Sequence, residues 1–109
     1  MKVVIKEWGL EYWIVNKSAY CGKKLELFEG MQCSLHHHKV KDETFYVVSG
    51  KVAFELDGRH QVLESGDSIH VPPLAKHRFG GIEPSVIMEF STYHSDDDTY
   101  RDEPSGRME

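Results

Sequence analysis

Apolar and polar residues alternate along this chain in short runs, and the apolar ones rarely recur at helical spacing. Val3–Ile5, Leu10–Val15, Leu25–Phe28, Ser34–His38, Phe45–Val48, Val52–Leu56, Gln61–Leu63, Ser68–Val71 and Val86–Ser91 read as strands. Successive side chains of a strand face opposite sides, so a half-buried sheet writes that alternation into its sequence. The runs recur about every 8–12 residues, the spacing of a sandwich or barrel. Ser49-Gly50 and Asp57-Gly58 are turn dipeptides; the second, between Val52–Leu56 and Gln61–Leu63, predicts a hairpin. Pro72-Pro73 stops a strand, because proline has no N–H to give to a ladder. No apolar stripe of helical period is long enough for a major helix. From Ser95 to Glu109 the chain turns polar, with Asp96-Asp97-Asp98, Pro104 and Gly106, and reads as a surface arm or a partly disordered end. The expected class is all-β, in one domain over residues 1–109.

Composition narrows the picture. A chain of 109 residues buries one modest core and often gains from dimerisation, so a homodimer is expected. Hydrophobic content of 39% against 28% charged residues is that of a globular protein, not a disordered one. The net charge is -5 and the longest basic cluster is the pair Lys23-Lys24, which argues against a nucleic-acid or anionic-membrane partner. Cys21 and Cys33 make no disulfide framework and read as reduced, buried and inert. The apolar run at Val3–Ile5 is too short for a signal peptide, and no run approaches a membrane span. A cytoplasmic setting is the expectation.

The candidate chemistry lies in two blocks, Gly30-X5-His36-X-His38-X4-Glu43-X6-Gly50 and Gly66-X5-Pro72-X4-His77. Alternation puts His36 and His38 on one face of a strand and His37 on the other. Glu43 is expected on the next strand, returning antiparallel beside the imidazoles after a turn at Lys39–Asp42. His77 would arrive from a distant strand, aimed by the turn at Pro72-Pro73. Imidazole and carboxylate are ligands for a first-row divalent metal, and three His with one Glu leave coordination positions open for chemistry. The competing reading is a His-rich surface strand with no metal. His37 and His60 read as solvent-facing bystanders. His70 reads as a structural or interface histidine, and His94 as a residue at the mouth of the barrel.

The two blocks resemble the paired motifs of the cupin superfamily, G(X)5HXH(X)4E(X)6G and G(X)5PXG(X)2H(X)3N. The first matches at every defining position. The second matches at Gly66, Pro72 and His77 and departs at Leu74 and Gly81, where the family has Gly and Asn. Leu74 suggests a different turn shape before His77. The resemblance implies a cupin β-barrel, a double-stranded β-helix or jelly roll. Its core would span about residues 24–91, with N-terminal strands in 1–23 and the polar tail in 92–109. It also implies one divalent metal held by His36, His38, Glu43 and His77.

A narrower resemblance adds roles. Trp8-Gly9-Leu10-Glu11, Asn16, Tyr20-Cys21-Gly22-Lys23, Lys41 beside Glu43, and the run from Glu89 through Arg101 are similar to cupins of the D-lyxose isomerase type. They are similar also to cupin domains attached to sialic-acid synthases and sugar-nucleotide enzymes. The isomerase resemblance implies manganese among Mn, Zn, Fe, Co and Ni. It gives Glu89 proton transfer and Lys41 substrate positioning. This chain is much shorter than those isomerases and lacks their flanking elements. From its own residues, Lys41 could orient a substrate hydroxyl or phosphate, but reads rather as a solvated loop lysine. Alternation leaves Glu89 two facings: inward with Ile87, where partial desolvation would raise its pKa toward that of a useful base, or outward while Val86, Met88 and Phe90 fill the core. Trp8, Tyr12 and Trp13 could stack on a sugar or pack on a partner subunit, and Phe45 and Phe79 line the core or barrel wall. Asp96-Asp97-Asp98 could bind a cation or lie solvated, and Arg101 could pair with that run or with a substrate phosphate. The functional expectation is an isomerase- or epimerase-like enzyme acting on a small sugar or sugar phosphate by metal-assisted proton transfer. A non-catalytic sugar or sugar-nucleotide binding module and a small metal-dependent dioxygenase are the alternatives.

Overall fold

A computed structural model describes all residues from Met1 to Glu109. The strands are β1 (Lys2–Lys6), β2 (Gly9–Asn16), β3 (Cys21–Leu27), β4 (Met31–Gln32), β5 (Leu35–His37), β6 (Glu43–Ser49) and β7 (Lys51–Leu56). They continue with β8 (Arg59–Glu64), β9 (Ser68–Val71), β10 (His77–Gly81), β11 (Ser85–Ser91), β12 (Tyr100–Glu103) and β13 (Gly106–Arg107). The only helical segment is a 3-10 turn at Asp96–Asp98, so no helix is long and apolar enough to cross a membrane.

Two antiparallel sheets face each other and curl into a jelly-roll barrel, as the alternating runs imply. One has the order β1-β2-β3-β11-β6-β9. In the other, β10 is central, with β7 and then β8 on one side and β4 and β5 on the other, flanked by β13 and β12. The hairpin at Asp57-Gly58 forms as read: Leu56 pairs with Arg59, and the two loop residues take φ of 48° and 81°. Both values lie in the left-handed region that a tight two-residue hairpin turn requires.

Inward residues of both sheets meet in a core that includes Phe45, Val47, Val52, Phe54, Phe79 and Ile87. Each such side chain contributes about 1.5–3 kcal/mol by leaving water. Phe45 stacks obliquely on Phe54 and Phe79, with ring centroids 5.5 and 5.6 Å away, and this aromatic layer floors the upper half of the barrel. Cys21 and Cys33 are buried and unpaired; burial pushes the Cys33 thiol up to about 12, so it stays protonated and inert.

Three expectations change. The tail is not a loose arm: β12 pairs with β5 and β13 with β4, so it extends the second sheet. Its polar sequence hides this, because both strands lie at a sheet edge and bury almost nothing. β10 was absent from the strand pattern, since Arg78, Gly80 and Gly81 interrupt its apolar run. Finally, β5 and β6 do not pair. Glu43 comes from the facing sheet, and the strand that lies directly beside β5 is β10, with His77 opposite His36.

Candidate metal centre and its cavity

His36 and His38 point into the barrel from β5 and the residue after it, and His77 stands beside them at the start of β10. One ring nitrogen from each lies within 4.8 Å of the others. His77 is fully buried, its ring parallel to Phe54 at 6.4 Å, so the cluster rests on the aromatic layer. Glu43 reaches across from β6; its Oε2 is 3.3 Å from His38 Nε2 and 2.9 Å from His77 Nε2.

The hydrogen bonds behind the rings define what they can do. His36 Nδ1 faces the Ser34 carbonyl at 2.8 Å, His38 Nδ1 the Asp98 carbonyl at 2.9 Å, and His77 Nδ1 the Ala75 carbonyl at 3.0 Å. A carbonyl only accepts, so each Nδ1 carries a proton and each ring turns its Nε2 toward the centre. Glu43 Oε2 and His77 Nε2 are buried with no hydrogen-bond partner of acceptable geometry, although they stand 2.9 Å apart. Two such atoms held that close need positive charge between them, either a proton on the imidazole or a bound cation. Burial, and then the neighbouring His77, lower the His36 pKa to about 3, which keeps that ring in its neutral, ligating form. Burial works against the Glu43 charge, yet His38, His77 and the Lys41 ammonium hold its pKa well below the ordinary carboxylate value. Three imidazoles that each turn Nε2 to the centre and one ionised carboxylate fit a divalent first-row ion, which would act there as a Lewis acid.

A second cluster adjoins the first. Lys41 is 3% exposed, which corrects the reading of a solvated loop lysine. Its Nζ lies 2.6 Å from Glu89 Oε2, 3.4 Å from Glu43 Oε1 and 2.9 Å from His94 Nδ1. Burial opposes the ammonium, but Glu89 and Glu43 outweigh it and raise the Lys41 pKa. Glu89 takes the inward facing, is 5% exposed, and also accepts from Ser91 Oγ at 3.3 Å; Val86, Met88 and Phe90 face outward. His94 receives the Lys41 proton donor on Nδ1 and therefore donates from Nε2 to Asp96 Oδ1, 2.9 Å away. Burial, with the charges of Lys41 and Lys23, lowers its pKa and keeps it neutral. Asn16 clamps the His94 main chain at both its N–H and its carbonyl.

His36, His38 and Glu43 of the first cluster and Lys41, Glu89 and His94 of the second line one cavity of about 70 Å³, about 550 Å³ with the solvent space at its mouth, with Trp8, Phe45 and Phe79 among its walls. Trp8 is part of this wall and meets Phe79 edge-on at 5.1 Å, while Trp13 packs edge-on against the lining residue His94 at 5.1 Å. Tyr12 lies on the other face of β2, under Lys24. The bystanders fall where expected. His37 points outward to Asp102 and Tyr100, His60 is exposed, and His70 is exposed and bonded to Asp42 at 2.6 Å. Leu74 takes φ of 75°, a glycine-like conformation, so the departure from the motif keeps a glycine's backbone rather than changing the turn.

Sequence reasoning missed the acidic run's part. Asp98 accepts the backbone N–H groups of Lys39, Val40 and Lys41, fastening the loop that carries Lys41, while its carbonyl orients His38. It missed Lys23 too, although alternation with Leu25 and Leu27 along β3 places it inward.

Comparison with known proteins agrees with this architecture. A family model described as Cupin domain matches residues 25–91. A D-lyxose/D-mannose isomerase of Thermosediminibacter oceani is 31% identical over 120 residues, covering 84% of this chain and 66% of that protein. A mannose-1-phosphate guanylyltransferase of Sinorhizobium fredii is 28% identical over 112 residues, covering 97% of this chain and 22% of that protein. The chain therefore spans about two thirds of the first relative's length and under a quarter of the second's. Among solved structures, KdgF from Halomonas sp. superimposes with a TM-score of 0.81 at 21% identity, covering 89% of this chain and 90% of that one, which speaks for the fold alone.

Proposed function

The chain belongs to the cupin family, and we propose that it is a metal-dependent enzyme that isomerises or epimerises a small sugar or sugar phosphate. The observation that carries this is the Lys41–Glu89 pair, 2.6 Å apart and buried beside the His36, His38, His77 and Glu43 donor set in one cavity. A divalent ion on those four residues would supply Lewis acidity toward a bound carbonyl; manganese is the choice favoured by the isomerase resemblance. Glu89 would take the proton from the hydroxyl-bearing carbon next to the carbonyl and return it to the former carbonyl carbon, while the hydroxyl proton passes to the former carbonyl oxygen. Lys41, kept cationic by its two carboxylates, would steady Glu89 and, by giving up its bond to His94, place a substrate oxygen. The similarity to a D-lyxose/D-mannose isomerase supports a pentose or hexose as substrate.

The test is incubation of the metal-loaded protein with D-lyxose, D-mannose and their phosphates in deuterium oxide. Expected are aldose–ketose interconversion and deuterium at the exchanged carbon. Glu89→Gln should lose at least a hundredfold in rate while retaining metal. Absence of both conversion and exchange with all of these sugars would reject the enzyme. The near-complete coverage of this chain by one part of a guanylyltransferase favours a second reading, a non-catalytic sugar or sugar-nucleotide binding module. Saturable binding without exchange would select it. We further propose a homodimer through the outer face of the first sheet, where Val3, Ile5, Tyr46, Val48 and Phe90 are exposed together. A monomeric mass in solution would exclude that dimer. The domain division and a cytoplasmic location remain part of the same proposal.

A further inference from the structure

We propose that the cavity is built for a sugar carrying an anionic group, a carboxylate or a phosphate, which Lys23 and Arg101 receive. This rests on the sugar-directed reading above and narrows its substrate class. Lys23 lies on β3 opposite Glu89 on one side and Trp13 on the other, so it shares their inward face. It is 2% exposed, yet its ammonium makes no hydrogen bond. The one carboxylate within ion-pair reach, Glu11 Oε1, is 3.7 Å away and already takes the Trp13 indole N–H at 2.9 Å. Its other neighbour is the face of the Trp13 ring, 4.2 Å from Nζ. An ammonium has three donors, and with no protein acceptor for them those of Lys23 open onto the cavity, where an anionic group would take them. Lys41, in the same cavity, shows the contrast, for its donors face Glu89, Glu43 and His94.

Arg101 supplies the second cation. It pairs with His36 across β12 and β5, which puts its side chain on the ligand side of that sheet, and it lines the cavity. It forms no ion pair, although its guanidinium is the group that best grips a planar carboxylate or a phosphate. Lining cations and carboxylates are equal in number, four of each. A divalent ion held there would therefore leave the cavity net positive, and a positive, partly enclosed site attracts an anion.

Calorimetric titration of the manganese-loaded chain with D-mannose, D-mannuronate and a mannose phosphate tests this. At least one anionic sugar should bind tenfold or more tighter than mannose, and the tighter of the two names the anionic group. Lys23→Met and Arg101→Gln should each remove most of that advantage at unchanged metal content; Arg101→Gln, at an exposed position, carries the test if Lys23→Met does not fold. Equal affinity for neutral and anionic sugars, survival of the preference in the variants, or no sugar binding at all would overturn the proposal. Anion preference without any turnover would uphold it and reject the isomerase, so the two readings fail separately.

Discussion

The two clusters in the cavity solve the same problem, buried polar groups, in opposite ways. Around Lys41, charge meets charge: Glu89, Glu43, His94 and Asp96 form a chain in which each donor has an acceptor. Around His77, main-chain carbonyls fix the rings from behind, and the atoms in front are left facing one another, with Glu43 Oε2 and His77 Nε2 unsatisfied. The first cluster is complete as folded. The second keeps open atoms that a cation could take. Glu43 belongs to both, one oxygen turned toward Lys41 and the other toward the imidazoles, so occupancy of one cluster is felt in the other.

Removing Lys41 should produce the largest effect. Lys41→Met leaves two buried carboxylates without their cation, and breaking such a pair costs about 3–5 kcal/mol. Chemical denaturation of the metal-free variant measures this. Adding Glu89→Gln should recover at least half of the loss, because one uncompensated charge goes with it. A loss below about 1 kcal/mol would mean that the first cluster is not held by charge.

Metal should act first on the second cluster. A divalent ion at a hundredfold its dissociation constant raises stability by about 2.7 kcal/mol, because it binds the folded chain and not the unfolded one. Thermal denaturation with manganese, zinc, cobalt or nickel reads the shift, and a chelator should reverse it. His36→Ala should abolish the shift, since it deletes one donor from the rim of the site. A shift that survives in this variant would place the ion elsewhere.

The metal cluster was far more legible in the sequence than the charged one. His36, His38, Glu43 and His77 are marked by spacing, because strand alternation and a proline-stiffened turn leave few other ways to aim side chains at one point. Their partnership was not legible: which strand lies beside β5 depends on sheet order, and His77 rather than Glu43 proved to be the neighbour. Lys41 was misread because its burial depends on Asp98, more than fifty residues later, fastening the backbone around it. The facing of Glu89 was undecidable locally, since Val86, Met88 and Phe90 are as apolar as an inward set would be, and only a large outer face explains them.

Leu74 offers the finest probe of how the second cluster is held. Its N–H bonds to the His38 carbonyl at 2.6 Å, and the turn it shapes leads straight into His77. At φ of 75° a leucine sits where its Cβ crowds the backbone, a cost of about 1–2 kcal/mol that glycine avoids. The side chain is 64% exposed, so little burial offsets that cost. Glycine in turn loses about 0.5–1 kcal/mol more backbone entropy on folding. Leu74→Gly should therefore stabilise the protein by roughly 0.5–1 kcal/mol, a rise of about 3–6 °C in Tm for a domain of this size. Metal affinity should stay within twofold, because the carbonyls behind the rings do not move. Stabilisation with a large loss of affinity would mean that strain at Leu74, and not the main-chain hydrogen bonds, is what aims His77 at its partners.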